Sequence, residues 1–433
     1  MHGPDRPVSL RLHAHAGLIP LLQAVVEQGA GAFGLEYDKT LRLTMAAEEL
    51  LSHLVETAPG TEINLTLEPG GWCVRADMAF VSDPSELWAM NLVAGEDVGG
   101  DRDMARLGLL LASRMVDDFT VRLEGRVVHL ALHQNRNYPV IEAGQGRRVP
   151  ARGTVTVVEN PEPALIKEAC ARACGLYPLH SVHPAFSTPG KVVDMAARGD
   201  LVTVVAVDET SAPVGLLCRR SPSEKSVAFY GPYLLAEGGS VAEVLEDHLL
   251  HSVARTGAVG LFSDLATDDL TIRNYESLGR LHYLGPDGEM AERDVWYRHL
   301  REDMGTTVWA HPRMVPFIEE ACERLVLMRD VRQTDGVGET LPARSVFSSR
   351  LRPDLHEATL TPMVTGADVA EAVARHVEVL RREDYRIISF RLDLAYGREA
   401  AVGGALMDNG FVPRLLLPYA GKSDVVVFQH VAS

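Results

Sequence analysis

Several groups of residues in this 433-residue chain have the types and spacing that chemistry needs. Glu237-Gly238-Gly239-Ser240-Val241-Ala242 joins an apolar strand-like run, which ends at Leu235, to a helical pattern. Glycines at such a junction let backbone N–H groups approach an anion at a helix N-terminus. A plain strand-to-helix turn uses the same residues. Glu237 is acidic and no Arg or Lys lies in the loop, so a bound anion would meet a carboxylate unless that side chain turned away. Glu49 and His53 are four residues apart in a helical pattern, on one helix face. Asp264 ends an apolar run and could act as a base, and Tyr275 and Tyr283 could supply a proton. Tyr230 and Tyr233, on the run before the glycines, could line a pocket. All five suit core or surface roles equally well.

Two further groups look like metal ligands and are read otherwise. Cys170 and Cys174 lie four apart on a helical stretch with no second pair to complete a zinc site, so core packing is expected. His13-Ala14-His15 has no carboxylate or thiol nearby and is read as a strand end. The five cysteines are odd in number and scattered, which argues against a disulfide framework. No metal site is expected.

These residues must be positioned by about three domains, at roughly 150 residues each. Residues 142–152, EAGQGRRVPAR, have no apolar period and suit a linker, and a second seam falls at 300–305. The expected domains are 1–148, 149–304 and 305–433. The first reads as a strand, two helices, a strand pair around Pro69-Gly70-Gly71, a helix and a hairpin. The second reads as a strand, two helices, a hairpin over 201–219, strand 227–235, the glycine loop and its helix, strand 259–264, helix 270–278 and strand 293–300. The third repeats much of that order, a weak duplication of period about 140. The fold class is α/β, of α+β sandwich type.

Composition narrows the function classes. A hydrophobic fraction of 46% and a charged fraction of 23% suit globular cores. The net charge of −17 disfavours nonspecific contact with nucleic acid or anionic membrane. No run approaches ~18 apolar residues, so no membrane-spanning helix is expected. The N-terminus shows no signal peptide. A cytoplasmic protein is expected.

The first segment resembles the anti-sigma-factor kinase branch of the GHKL ATPases, whose fold is of Bergerat type. The resemblance rests on AAEELLSHLV (46–55), VRADMAF (74–80) and ARLGLLLASRMVDDFTVRLEGRVVHLAL (105–132). It implies that Glu49 stands where the family positions an attacking hydroxyl, and His53 where an asparagine holds Mg²⁺. Histidine is a poor ligand for that hard cation. Asp77 matches the aspartate that reads adenine, and Gly108 is what remains of the glycine-rich loop. The resemblance thus implies a degenerate ATP site, or a module that docks a protein partner.

The second segment resembles the GNAT N-acetyltransferases through LVTVVAVDETSAPVGLLCRR, SVAFYGPYLLAEGGSVAEVLEDHLLHSVA, GAVGLFSDLA and TIRNYESLG. The resemblance implies a mixed sheet with an open V between two central strands. It implies acetyl-CoA held by Leu235, Gly238, Gly239, Ser240, Val241, Ala242 and Asn274, with Tyr275 or Tyr283 as the acid that reprotonates the thiolate and Asp264 as the base. The third segment resembles the same family in ISFRLDLAYGREAAVGGALMDNGFVPRLLLP. Its link from strand to helix is only TGAD, too short for a pyrophosphate cradle, so it is expected to be a pseudo-domain. The leading expectation is a GNAT-type N-acyltransferase acting on a small-molecule or protein amine, with a regulatory ATPase-like front domain. The alternative is a non-catalytic regulatory or scaffold protein of the same ancestry. Serine-kinase activity is disfavoured by His53.

Overall fold

The computed structural model describes residues 6–92, 103–141, 146–237, 240–336, 338 and 340–431. Two compact units divide the chain. The first comprises Met1–Asn137, Gly338–Leu351 and Ala358–Ile388; the second comprises Tyr138–Val337, Arg352–Glu357 and Ser389–Ser433. Elements are mixed α/β throughout.

The first unit opens with β1 (Val8–His13), α1 (Ile19–Ala32), α2 (Tyr37–Thr57), β2 (Glu62–Pro69) and β3 (Cys73–Val81). It continues with α3 (Asp103–Met115), β4 (Asp118–Glu124) and β5 (Val127–Asn135). The strands form an antiparallel sheet in the order β1-β2-β3-β5-β4. Strand alternation decides which residues reach the helices. Val74, Ala76, Met78 and Phe80 of β3 enter the core with Leu43, Ala47, Leu50 and Leu54 of α2, whose spacing makes one apolar helix face.

The second unit begins with β6 (Val149–Pro150), β7 (Thr156–Glu159), α4 (Pro163–Leu176), α5 (Pro189–Arg198), β8 (Val202–Val207) and β9 (Pro213–Ser223). Next come β10 (Ser226–Leu234), β11 (Ala236–Glu237), α6 (Val241–Ala254), β12 (Gly260–Leu265), β13 (Glu276–Leu284) and β14 (Met290–His299). Seven of these strands form one mixed sheet in the order β13-β14-β12-β10-β9-β8-β7, in which β10 and β12 run parallel. α4 and α5 cover one face, with Tyr230 and Tyr233 in that core; α6 covers the other, with Phe229 and Tyr275. β10 is buried over almost its whole length, as its unbroken apolar run requires.

One expected element is corrected. Residues 270–278 are not a helix: a short 3-10 turn, Ile272–Asn274, leads directly into β13. The strand pairs with β14 through a register slip between Ser277 and Gly279, where Gly279 sits at φ +128. Cross-strand pairing and that bulge outweigh a weak helical period.

The remaining elements are β15 (Thr306–Ala310), α7 (Val315–Arg324), β16 (Arg329–Gln333), β17 (Val346–Arg352), β18 (Glu357–Val364) and α8 (Val369–Arg382). β19 (Ile387–Asp393), α9 (Gly397–Ala400), α10 (Val402–Asp408), β20 (Val412–Leu417) and β21 (Val425–Val431) follow. β15 pairs parallel with β16, a strand the sequence pattern does not announce, and β20 pairs antiparallel with β21. α10 ends as expected of Asn409-Gly410-Phe411. Gly410 is left-handed at φ +79, its N–H reaches Met407 O at 3.2 Å, and Phe411 N–H reaches Leu406 O at 3.0 Å. This is a Schellman closure, and Phe411 folds back into the core. Among the described residues no helix is long and apolar enough to cross a membrane.

Candidate functional site: a fork between two parallel strands

The parallel pair at the centre of the large sheet does not stay together. β10 and β12 pair from Ser226↔Gly260 to Phe229↔Ser263, slip by one residue, and end at Tyr230↔Leu265. β10 then runs on with β9 alone, through Tyr233↔Leu216 and Leu234↔Gly215. The two strands therefore part just beyond Tyr230, at the C-terminal end of both. Clefts outside the carboxyl ends of parallel strands are where α/β sheets hold ligands.

A charged triplet forms the floor of this fork. Arg220 Nε donates to the Tyr230 hydroxyl at 2.6 Å and its Nη2 donates to Asp264 Oδ2 at 2.9 Å. The Tyr230 hydroxyl donates to the same carboxylate oxygen at 2.8 Å. Burial pushes the Asp264 carboxyl up, but Arg220 and Arg391 outweigh it and hold it at about 2. A carboxylate so acidic is a weak base at neutral pH. Its role here is to fix the Arg220 and Tyr230 head groups. His183 stands edge-on to Tyr230, with ring centroids 4.5 Å apart, and its Nδ1 accepts the Ala185 N–H at 3.2 Å. Burial drives the imidazole down to about 4, with Arg220 opposing its protonation and Asp264 favouring it. The ring is neutral at physiological pH.

The mouth of the fork is closed by the chain itself. Leu234 N–H donates to the Tyr177 hydroxyl at 2.6 Å, and that hydroxyl donates to Asp269 Oδ2, also at 2.6 Å. Arg148 Nη2 donates to both, at 2.9 Å to Tyr177 and 3.1 Å to Asp269. Burial and the Asp269 carboxylate push the Tyr177 phenol well up. The Thr267 hydroxyl donates to the Pro232 carbonyl of β10. β6 pairs parallel with β11 through Val149↔Ala236 and Pro150↔Glu237. Leu235 is spent as well: its N–H donates to Val214 O at 2.9 Å and its carbonyl accepts Arg172 Nη2 at 2.5 Å.

The residues expected from sequence lie around this fork without converging. Asp264 shares a face with Tyr230, toward α4 and α5. Tyr275 is buried on the opposite face beside Phe229, at 5.8 Å, and its hydroxyl has no hydrogen-bond partner among the described residues. Tyr283 lies on β13, stacked on His180 at 4.5 Å. Asn274 ends the 3-10 turn, exposed, its carbonyl accepting Arg298 Nη1 at 2.6 Å. Gly238 and Gly239 lie outside the described residues. Ser240 precedes α6 without a side-chain capping bond, and Val241 is packed into the core. Ala242 is half-buried in the first turn.

The first unit keeps the α2–α3 pairing but not the nucleotide constellation. Glu49 and His53 share a face of α2, yet Glu49 packs on Gly108 of α3 so closely that a Cβ there would collide with its Oε2. Burial, then Glu48, raises the Glu49 carboxyl. His53 is buried. Asp77 points away from all of them. It alternates with core-facing Ala76 and Met78, so it lies on the other face of the sheet, held by Arg75 Nη2 at 2.6 Å. These residues do not fit ATP. Among the described residues no group of His, Cys, Asp and Glu could hold a metal ion.

Tyr177, Asp269, Arg148, Thr267 and Arg220 carry the fork, and sequence reasoning passes over them. Arg220 left a trace, as a charged residue ending the apolar run of β9. Tyr177 left none.

No protein-family model and no curated protein matches the chain. Solved structures match parts of it. A putative acetyltransferase from Acinetobacter baylyi is 11% identical over 34% of this chain and 93% of its own, with a TM-score of 0.29. A GNAT-superfamily phosphinothricin acetyltransferase from Sinorhizobium meliloti, solved with acetyl-CoA, is 16% identical over 35% of this chain and 91% of its own, with a TM-score of 0.29. The RsbU and RsbW domains of a Mycobacterium tuberculosis protein are 15% identical over 30% of this chain and 33% of theirs, with a TM-score of 0.22. Likenesses this partial fix no activity.

Proposed function

We propose that the second unit is a GNAT-type N-acyltransferase module, using acetyl-CoA on an amine carried by a small molecule or a protein. The observation that carries this reading is the parting of β10 from β12 at Tyr230 above the Arg220–Tyr230–Asp264 floor. Parted parallel strands offer a slot for an extended acyl donor. A rigid floor of fixed dipoles at its base can orient an acceptor and favour charge developing there. In this reading acetyl-CoA supplies the activated acyl group. The segment 1–148 serves as a regulatory domain that docks a protein partner, in a cytoplasmic protein whose other proposed domains are 149–304 and 305–433.

The slot does not fit acetyl-CoA as it stands. Leu234 N–H is taken by Tyr177, the Pro232 carbonyl by Thr267, and Glu237 rather than a base borders the glycines. A non-catalytic regulatory protein of the same ancestry is the second reading, favoured by Asp77 lying on the opposite sheet face from Glu49 and His53.

Calorimetric titration with acetyl-CoA, paired with mass spectrometry of a primary-amine panel, separates the two. Saturable binding and an acetylated product support the transferase. Binding by neither the natural protein nor Tyr177→Phe, which frees Leu234 N–H, would leave only the regulatory reading.

A further inference from the structure

We infer that residues 146–150, with Tyr177 and Asp269, form a strap that occupies the edge of β10 and β11 and closes the fork to its acyl donor. The inference rests on the transferase reading for the identity of that donor. The strap itself rests on geometry. An extended ligand crossing a parted strand must bond the free backbone groups of that strand, as a β-strand does. Here the chain supplies those bonds. Val149 and Pro150 lie beside Ala236 and Glu237 as a two-residue parallel strand. The Tyr177 hydroxyl accepts the Leu234 N–H at 2.6 Å and lies 3.3 Å from the Leu234 carbonyl, so one phenol spans both polar groups of that residue.

Arg148 fastens the strap. Its guanidinium donates to Tyr177 and to Asp269 and lies 5.3 Å from the Tyr177 ring centre. The segment starts where Gly146 N–H donates to Gly175 O at 2.9 Å, at the end of α4. A Cβ on Gly146 would stand 2.8 Å from the Gly175 backbone, so the approach needs glycine. The fastening is not deep. The side chains of Arg148 and Asp269 keep 35% and 20% of their accessibility, and ion pairs at that exposure hold weakly and are screened by salt. The Tyr177 ring packs edge-on against Tyr233 at 5.2 Å, a contact that survives loss of the hydroxyl. The strap is thus placed to release without unfolding its surroundings.

The test uses the full chain and three variants: Tyr177→Phe, Arg148→Ala and Asp269→Asn. Tyr177→Phe keeps the ring packing and removes only the latch. Hydrogen exchange of peptides covering 234–236 reports the strap, and calorimetric titration with acetyl-CoA reports the slot. Exchange is expected to speed at least tenfold in the variants, and acetyl-CoA to bind them at least tenfold more tightly than it binds the natural protein. Unchanged exchange at 234–236 in all three overturns the strap. Acetyl-CoA bound as tightly by the natural protein as by the variants also overturns it, and leaves the transferase reading standing. Faster exchange with no acetyl-CoA binding anywhere supports the strap and removes the transferase reading instead.

Discussion

Replacing Arg329 by methionine should cost the second unit several kcal/mol of stability, about 3–5. Its guanidinium is fully buried. It donates to Asp424 twice, at 2.6 and 3.1 Å, to the Met328 carbonyl at 2.8 Å, and to Asp303. It also lies 4.6 Å from the centre of the Tyr419 ring, whose hydroxyl donates to Asp303 at 2.5 Å. Tyr419 in turn accepts the Ser223 hydroxyl through its carbonyl at 2.6 Å, which ties this network to the end of β9. Removing the arginine leaves two carboxylates buried without a counter-charge. Breaking a buried pair in this way costs about 3–5 kcal/mol. At roughly 2–3 °C per kcal/mol for a unit of this size, calorimetry should show its transition roughly 6–15 °C lower. Adding Asp424→Asn to Arg329→Met should recover part of the loss, because one stranded charge disappears. A loss below about 1 kcal/mol for Arg329→Met would refute the idea that the network is a committed ion cluster.

Three further outcomes are expected. Gly108→Ala, inside α3, should change the stability of the first unit by less than about 1 kcal/mol, because alanine's gain in helix propensity is set against swinging the flexible Glu49 carboxylate aside, and adding Glu49→Ala should leave a net gain; no added gain from the second change would disprove the α2–α3 contact. Gly410→Ala should cost about 1 kcal/mol in a denaturant melt, since alanine is strained at φ +79, and a neutral result would argue against the Schellman closure. His183 is held neutral at about 4 against an ordinary 6.5. The unfolded chain therefore binds the proton first, so this contribution is whole above pH 6.5 and fades as pH falls toward 4, at about 1.4 kcal/mol per pKa unit at most. Urea melts at pH 7 and 5 should differ less in His183→Gln than in the natural protein, and an unchanged difference would show that His183 is not the group responsible.

What the sequence disclosed and what it hid follow one physical division. Strong local signals carried through. The alternating hairpins of the front sheet, the unbroken apolar run of β10 and the Asn409-Gly410-Phe411 stop are dictated by neighbours a few residues away. Leu270, Leu278 and the tyrosine between them mimic a helical period in the stretch that leads into β13. Only β14, reached through a turn, shows that the stretch pairs as a strand. β16 was missed for a similar reason: its RDVRQ has little apolar alternation, and β15 supplies its pairing. The motif places Asp77 in a ligand pocket, but strand register puts it on the far side from Glu49. Motif matching fixes a residue's place in the chain and leaves its face undetermined, since one step along a strand reverses it.

The fork makes the same point about chemistry. The residues singled out for type and spacing, Gly238 and Gly239 with their helix, say where an anion could approach. They say nothing about what already stands there. The closing groups come from four separate stretches, at 148, 177, 234 and 267–269, and none resembles a motif in isolation. A tyrosine at the end of α4 and an aspartate in a loop gain meaning only because the phenol meets Leu234 N–H and the carboxylate holds the phenol. A single hydroxyl can then decide access. If the phenol of Tyr177 is the main occupant of that backbone group, losing one oxygen atom frees the N–H while leaving the ring in place. Tyr177→Phe should therefore raise exchange at 234 without lowering the melting temperature by more than about 3–9 °C, the equivalent of about one hydrogen bond to a charged group, since the hydroxyl also donates to Asp269 and accepts from Arg148. A large loss of stability in that variant would mean that the hydroxyl holds the fold together and does not guard a slot.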